Sequence, residues 1–154
     1  MTAQGARVDI TFTKGRGKYD LMRVVRGDVV ETIDCPKQRI IPHDMVHYAV
    51  ECTLQKRGFL TRVVAGEQAG FRMAPEAESD GVERLVEVFQ GDAWSGGNAA
   101  PEEMLDLYRL TCEARECVPL PVTADDVVSI RNTISELDAQ WQALAVGESM
   151  HLRL

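Results

Sequence analysis

The sequence has little that would tie it to a membrane or to an oxidising compartment. No apolar run approaches the ~18–20 residues that span a bilayer, and the first twelve positions lack the basic and apolar regions of a signal peptide. The four cysteines form no CxxC pair, a pattern that predicts reduced, buried thiols. Together these absences predict a cytoplasmic protein without a membrane partner.

Aromatic residues and positive charge are also scarce. Aromatic residues make up 6% of the chain, and the net charge is −7. A surface that binds nucleic acid needs cations that neutralise phosphates and rings on which bases stack, so we expect no nucleic-acid partner. The segment KGRGK at 14–18 lacks the GK[ST] ending of a phosphate-binding loop, and the sequence has no GxSxG motif of a serine hydrolase.

The residues that are present predict one α+β domain spanning 1–154. The chain is 45% hydrophobic, and its length suits a single domain with its own core. Residues 7–13 alternate apolar and polar side chains, as a half-buried strand does. Segments 19–25 and 29–34 follow after short turns that contain glycine, which predicts an antiparallel meander.

Four helices and a closing strand are predicted after the meander. The helices are expected near 42–57, 79–89, 101–116 and 123–146. Residues 148–154 alternate again and should pair with the meander, leaving the helices on one face of the sheet.

The last predicted helix has the clearest pattern. Thr123 and the acids after it resemble a capping box, and apolar residues then recur at steps of three and four: Val127, Ile130, Ile134, Leu137, Trp141 and Leu144. Such a seam can pack into the chain's own core or against a second copy. Both interpretations stay open, and the second predicts a homodimer through helix 123–146.

The strongest candidate for a functional site is the segment IIPHDMVHYAVE. Histidines four residues apart, such as His43 and His47, stack one helical turn apart and can converge on one zinc ion. Glu51 lies about 12 Å along the axis from His43, too far to share an ion whose bonds are about 2.0–2.3 Å long. A third ligand must therefore come from elsewhere: His151 on the last strand, Cys35, or a carboxylate that the sequence does not identify.

Asp44 makes this segment similar to the HExxH motif of zinc peptidases. Its side chain is one methylene shorter than glutamate, and in the first turn it also offsets the positive helix end. The same helix end disfavours a protonated His43 and predicts a neutral imidazole. Three interpretations stay open: a metal site, metal-dependent hydrolysis, or a helix start in which His47 pairs with Glu51 and His43 is a core residue.

Residues 40–71 resemble a group of small uncharacterised bacterial proteins that share a PHDxxHxxVE helix followed by a Gly-rich GxFGxxAAGGxAG segment. The matching positions here are Pro42, His43, Asp44, His47, Glu51, Gly58, Ala65, Gly66, Ala69 and Gly70. Thr61 and Glu67 stand where the group has glycine. The resemblance implies no particular activity; it implies that the helix and the Gly-rich segment line one pocket.

We therefore expect a protein that binds a divalent metal ion or a small ligand at this helix, with zinc or another divalent metal as its cofactor. The predicted metal ligands are His43, His47 and His151, and the predicted ligand-binding residues are Asp44, Glu51, Gly66 and Gly70. The alternative is a non-enzymatic dimerisation module in which both helix histidines are structural. The sequence does not decide whether the protein is an enzyme.

Overall fold

The predicted α+β class is confirmed by the computed structural model, which describes residues 9–38, 40–56, 58, 60 and 76–153. Within these residues the strands are β1 (Asp9–Thr13), β2 (Tyr19–Arg26), β3 (Val29–Pro36) and β4 (Ser149–Arg153). The helices lie between β3 and β4 along the chain: α1 (His43–Leu54), α2 (Ala77–Trp94), α3 (Pro101–Ala114) and α4 (Ala124–Gln142). None of the described helices is long and apolar enough to cross a membrane.

The four strands form one antiparallel sheet in the order β3-β2-β1-β4. Alternation along β1 places Ile10 and Phe12 on the buried side. Their cross-strand neighbours continue that apolar surface, since Phe12 pairs with Met22 on β2 and with Met150 on β4. The closing strand therefore pairs with the meander, as predicted, and completes the floor of the core.

Helix α1 packs over this floor and contacts α2 and α4. Most of its inward face is apolar, with Met45, Val46, Ala49 and Val50 fully buried. Its Tyr48 hydroxyl donates to the carbonyl oxygen of Arg153 on β4, 3.3 Å away. This central position explains why polar side chains of α1 are buried against neighbouring elements.

The helix ends differ from the predicted boundaries by a few residues. Helix α1 ends at Leu54, ahead of the predicted end near 57, because Gln55 turns left-handed with φ 53°. Helix α2 begins at Ala77, ahead of the predicted start near 79. The capping box at Thr123 is confirmed, because the Thr123 hydroxyl accepts from the Asp126 N–H and the Asp126 carboxylate accepts from the Thr123 N–H.

The apolar seam of α4 faces the core of its own chain. Val127, Ile130, Leu137 and Trp141 are buried, and Ile134 packs against the same core while partly exposed. Packing within the chain thus accounts for most of the seam. Dimerisation through this helix stays a prediction.

Lys14 stabilises the end of α4. Its ammonium group donates to the carbonyl oxygens of Trp141 (2.7 Å) and Leu144 (2.9 Å), and it lies 5.1 Å from the centre of the Trp141 ring. Trp141 lies in the last turn of α4 and Leu144 lies two residues beyond its end, a region where a positive charge is favourable. The side chain therefore ties the end of β1 to α4.

We expect Lys14→Met to lower the free energy of unfolding by about 1–2 kcal/mol, because two helix-end carbonyls lose a charged donor while the apolar stem is kept. Urea denaturation at neutral pH measures the loss. The control is Lys18→Met at an exposed position, which should stay within about 0.5 kcal/mol of the wild type. Equal losses in the two variants would contradict the role given to Lys14.

Candidate metal centre

Two imidazole rings meet on the face of α1 that contacts α2. Because His43 and His47 are one turn apart, their rings stack edge to face with centroids 4.9 Å apart. His47 is 1% exposed, whereas about a third of the His43 side chain reaches solvent. The site is therefore closed on one side and open on the other.

A carboxylate from α2 joins the two rings. Glu83 places one carboxylate oxygen 2.8 Å from His47 Nε2 and the other 3.4 Å from His43 Nε2. The three residues offer ligand atoms that all lie within 4.8 Å of one another. Among the described residues, this group could hold a metal ion.

The opposite nitrogen of each imidazole has an acceptor of its own. His47 Nδ1 lies 2.8 Å from a carboxylate oxygen of Glu51, and His43 Nδ1 contacts the side-chain oxygen of Gln90. An acceptor at Nδ1 fixes the hydrogen there and directs Nε2 toward the site, which is how protein histidines are usually oriented toward a metal. Both histidines are thus aligned by partners that are not themselves in the ligand group.

Glu51 is held in turn by the backbone that follows α1. Its side chain is fully buried, and it accepts from the N–H groups of Gly58 (3.0 Å) and Leu60 (3.1 Å). Charge-assisted bonds of this kind compensate for the cost of burying a carboxylate. The predicted pairing of His47 with Glu51 is confirmed, and the pair is part of a larger buried network.

The network shifts the pKa values of its members. Burial acts to lower the pKa of His47, but hydrogen bonds to Glu51 and Glu83 outweigh it and raise the pKa to about 10. Burial likewise opposes protonation of His43, yet its contacts with Glu83 and Gln90 leave the pKa raised. Burial acts to raise the pKa of Glu83, but its contacts with the two histidines outweigh this effect and hold the pKa well below the usual range.

The pKa of His43 is shifted upward, opposite to the direction expected from the positive end of α1 alone. The carboxylate of Glu83, on a different helix, contributes to this rise.

Asp44 does not take the position of the glutamate in HExxH. It is buried, and its carboxylate accepts a hydrogen bond from the Cys35 thiol with the sulfur 3.6 Å away. Burial raises the pKa of Asp44, and the neighbouring histidines offset part of that rise. The side chain thus contacts β3 on the floor of the core, so the peptidase-like interpretation loses its general base.

The remaining predicted residues lie elsewhere. His151 is on β4 opposite Thr11, whose hydroxyl is 3.0 Å from His151 Nδ1, on the side of the sheet away from α1. The structure therefore does not bring His151 to the other two histidines. Gly66 and Gly70 lie outside the described residues.

Glu83 and Gln90 were not identified from the sequence. Helix α2 contains several other acids, including Glu78, Asp80 and Glu87, so nothing in its pattern marks one of them as a ligand. The only signal is spacing: Glu83 and Gln90 are seven residues apart and so share a face. The sequence does not show that this face of α2 contacts α1, so the spacing alone does not identify a ligand.

A separate cleft of about 220 Å³ lies between α2 and α4, lined by Phe89, Arg131 and Ile134 among others. The Arg131 guanidinium donates hydrogen bonds to the Asp92 carboxylate and to the carbonyl oxygen of Ala99. No residue that lines this cleft belongs to the histidine group. The histidine group and this cleft are therefore different sites.

We expect Gly58→Ala to destabilise the protein by about 1–3 kcal/mol, the usual cost of overpacking. An added Cβ would lie 2.5 Å from Val82 and 2.7 Å from the carboxyl carbon of Glu51, so it would displace the carboxylate that orients His47. Urea denaturation measures the effect. Gly91→Ala is the control, because a Cβ there meets nothing within 4 Å inside helix α2 and alanine should stabilise it by up to about 1 kcal/mol. An unchanged stability for Gly58→Ala would contradict the close packing described for Glu51.

No known protein-family model matches the chain, and comparison with curated proteins and with solved structures finds no significant similarity. The resemblance of residues 40–71 to a bacterial group accordingly stays a prediction. What the site can do is argued from its geometry alone.

Proposed function

We propose that the protein binds one divalent transition-metal ion through His43, His47 and Glu83, with a coordination position left open for water or a small ligand. The observation that supports this most directly is the common direction of the two Nε2 atoms, which both face Glu83 while both Nδ1 atoms have acceptors. A salt bridge between two helices does not need both rings to be oriented in this way.

The donor set favours zinc. Two imidazole nitrogens and one carboxylate are the ligands of several catalytic zinc sites, in which water takes the fourth tetrahedral position. Tetrahedral geometry with bonds near 2.0–2.1 Å separates ligand atoms by about 3.3 Å. His43 Nε2 lies 3.4 Å from one Glu83 oxygen and His47 Nε2 lies 2.8 Å from the other, so the contacts are of the right order and a modest rotation of the carboxylate would adjust them.

Accessibility determines what the ion would do there. His43 and Glu83 are each about one-third exposed, so solvent reaches this side of the group. Zinc with three protein ligands supplies a Lewis acid and lowers the pKa of its bound water. Asp44 is turned toward Cys35, so it would not act as a general base beside the bound ion.

We expect tag-free protein to bind about one zinc ion per chain, measured by inductively coupled plasma mass spectrometry and by titration calorimetry. His47→Ala and Glu83→Gln each remove a ligand and should weaken binding by more than the 10–100-fold typical of losing an outer partner. Circular dichroism on the same samples shows whether the fold is kept.

Two controls make this test specific. Glu87→Gln lies one turn beyond Glu83 on α2 and pairs with Arg84, so it should leave zinc affinity unchanged. His151→Ala should do the same, and a loss in that variant would instead support the ligand set expected from the sequence. A wild type that folds but takes up no zinc, cobalt or nickel would overturn the proposal and leave a charge network between two helices.

Zinc binding should release protons at pH 7.5. A metal needs the lone pair on Nε2 of His47, whose pKa without metal is about 10, so a proton must leave at any pH below that value. Affinity should therefore rise with pH, by up to about tenfold per pH unit for each proton displaced. Calorimetry in buffers of different ionisation enthalpy counts the protons released, and a count of zero at pH 7.5 would contradict the protonated His47.

A further inference from the structure

The C-terminus of α3 ends in a backbone motif that pairs two cysteines. Glu116 has a left-handed conformation with φ 54°. The Cys117 N–H donates to the carbonyl oxygen of Cys112 at 2.9 Å, and the Glu116 N–H donates to that of Glu113 at 3.2 Å. This pair of bonds defines a Schellman motif, in which the residues at the Cys112 and Cys117 positions usually make a side-chain contact.

Thiols occupy the two positions that meet. Cys112 is fully buried and Cys117 is half-buried, and the neighbouring Cys117 thiol contributes to a raised pKa of Cys112. The neighbouring Tyr108 hydroxyl donates to the carbonyl oxygen of Gly81 on α2 and accepts from the Leu120 N–H, each at 2.9 Å. The motif therefore sits at a fixed corner where α2, α3 and the segment leading to α4 come together.

We propose that Cys112 and Cys117 are a redox modification site, at which a low-molecular-weight disulfide such as oxidised glutathione converts the two thiols into an intramolecular disulfide. A disulfide requires Cα atoms about 4.4–6.8 Å apart, and a hydrogen bond from one residue's backbone to the other's brings the two chain segments together in that way. This site is independent of the metal centre, so neither proposal depends on the other.

The reaction proceeds by two exchanges. The Cys117 thiol is the more accessible; after losing its proton it attacks the glutathione disulfide, forms a mixed disulfide and releases one glutathione thiolate. Cys112 then loses its proton and attacks the Cys117 sulfur, which expels the second glutathione. Two cysteine thiols are oxidised, one glutathione disulfide is reduced to two thiols, and the atoms balance.

Burial determines both the order of attack and the direction of the equilibrium. It raises the pKa of Cys112 to about 11, and the contact with Cys117 adds to the rise. A thiol with a high pKa is slow to start an exchange, so the reagent should react first at Cys117. Since burial disfavours the Cys112 thiolate, the oxidised form is favoured relative to pairs that contain a stabilised thiolate.

The experiment equilibrates folded protein with mixtures of reduced and oxidised glutathione, followed by alkylation in denaturant and mass spectrometry. Reduced protein should take up label at all four cysteines; oxidised protein should keep label at Cys35 and Cys52 only. Trypsin cleaves after Arg115, so the disulfide is identified by peptides 110–115 and 116–131 that stay joined until reduced.

We expect the equilibrium constant for oxidation to be at least about tenfold larger in the folded protein than in urea, because the fold holds the thiols together. Cys117→Ser, at a half-buried position, should abolish the joined peptides, and Cys112→Ser should stop at a glutathione adduct on Cys117. Cys52→Ser is the matched control and should oxidise like the wild type. Folded protein that is labelled at all four cysteines under oxidising mixtures, or that oxidises no more readily than in urea, would overturn the proposal.

Discussion

The site depends on the hydrogen bonds that the buried carboxylate of Glu51 accepts. A carboxylate removed from water must be compensated by several donors, and this one receives them from His47 and from the backbone of Gly58 and Leu60. It therefore fixes the orientation of the His47 ring and the path of the chain after α1 at the same time. The absence of a Cβ at Gly58 follows from the same constraint, since the carboxylate and Val82 occupy that space.

The atoms that hold protons in this site are the ones that could hold a metal ion. Without metal, Glu83 lies against Nε2 of both histidines and acts to raise the pKa of each ring. A divalent cation would take the place of the protons between the same nitrogens and oxygens, because both arrangements need positive charge at that point. Where both rings are protonated, exchanging two protons for one such ion leaves the charge of the site unchanged, so the surrounding packing suits either occupant.

The parts of the structure that depend on local pattern could be predicted, and those that depend on distant contacts could not. The strands and the Thr123 capping box follow from alternation and from residues three apart. The pairing of His47 with Glu51 follows from helical spacing. Glu83 could not be identified, because it becomes a ligand candidate only through the packing of α2 on α1. His151 was expected at the site, yet pairing of β4 with β1 directs its ring to the outer side of the sheet.

The ligand group spans two helices that are far apart along the chain. His47 and Glu83 enclose the whole segment between α1 and α2, so an ion bound to both would act as a crosslink that closes this segment into a ring. Crosslinks of this kind restrict the unfolded chain more than the folded one, and their effect grows with the length of the loop they close. An ion held at this surface would thus make the protein more difficult to unfold, whether or not it takes part in any reaction.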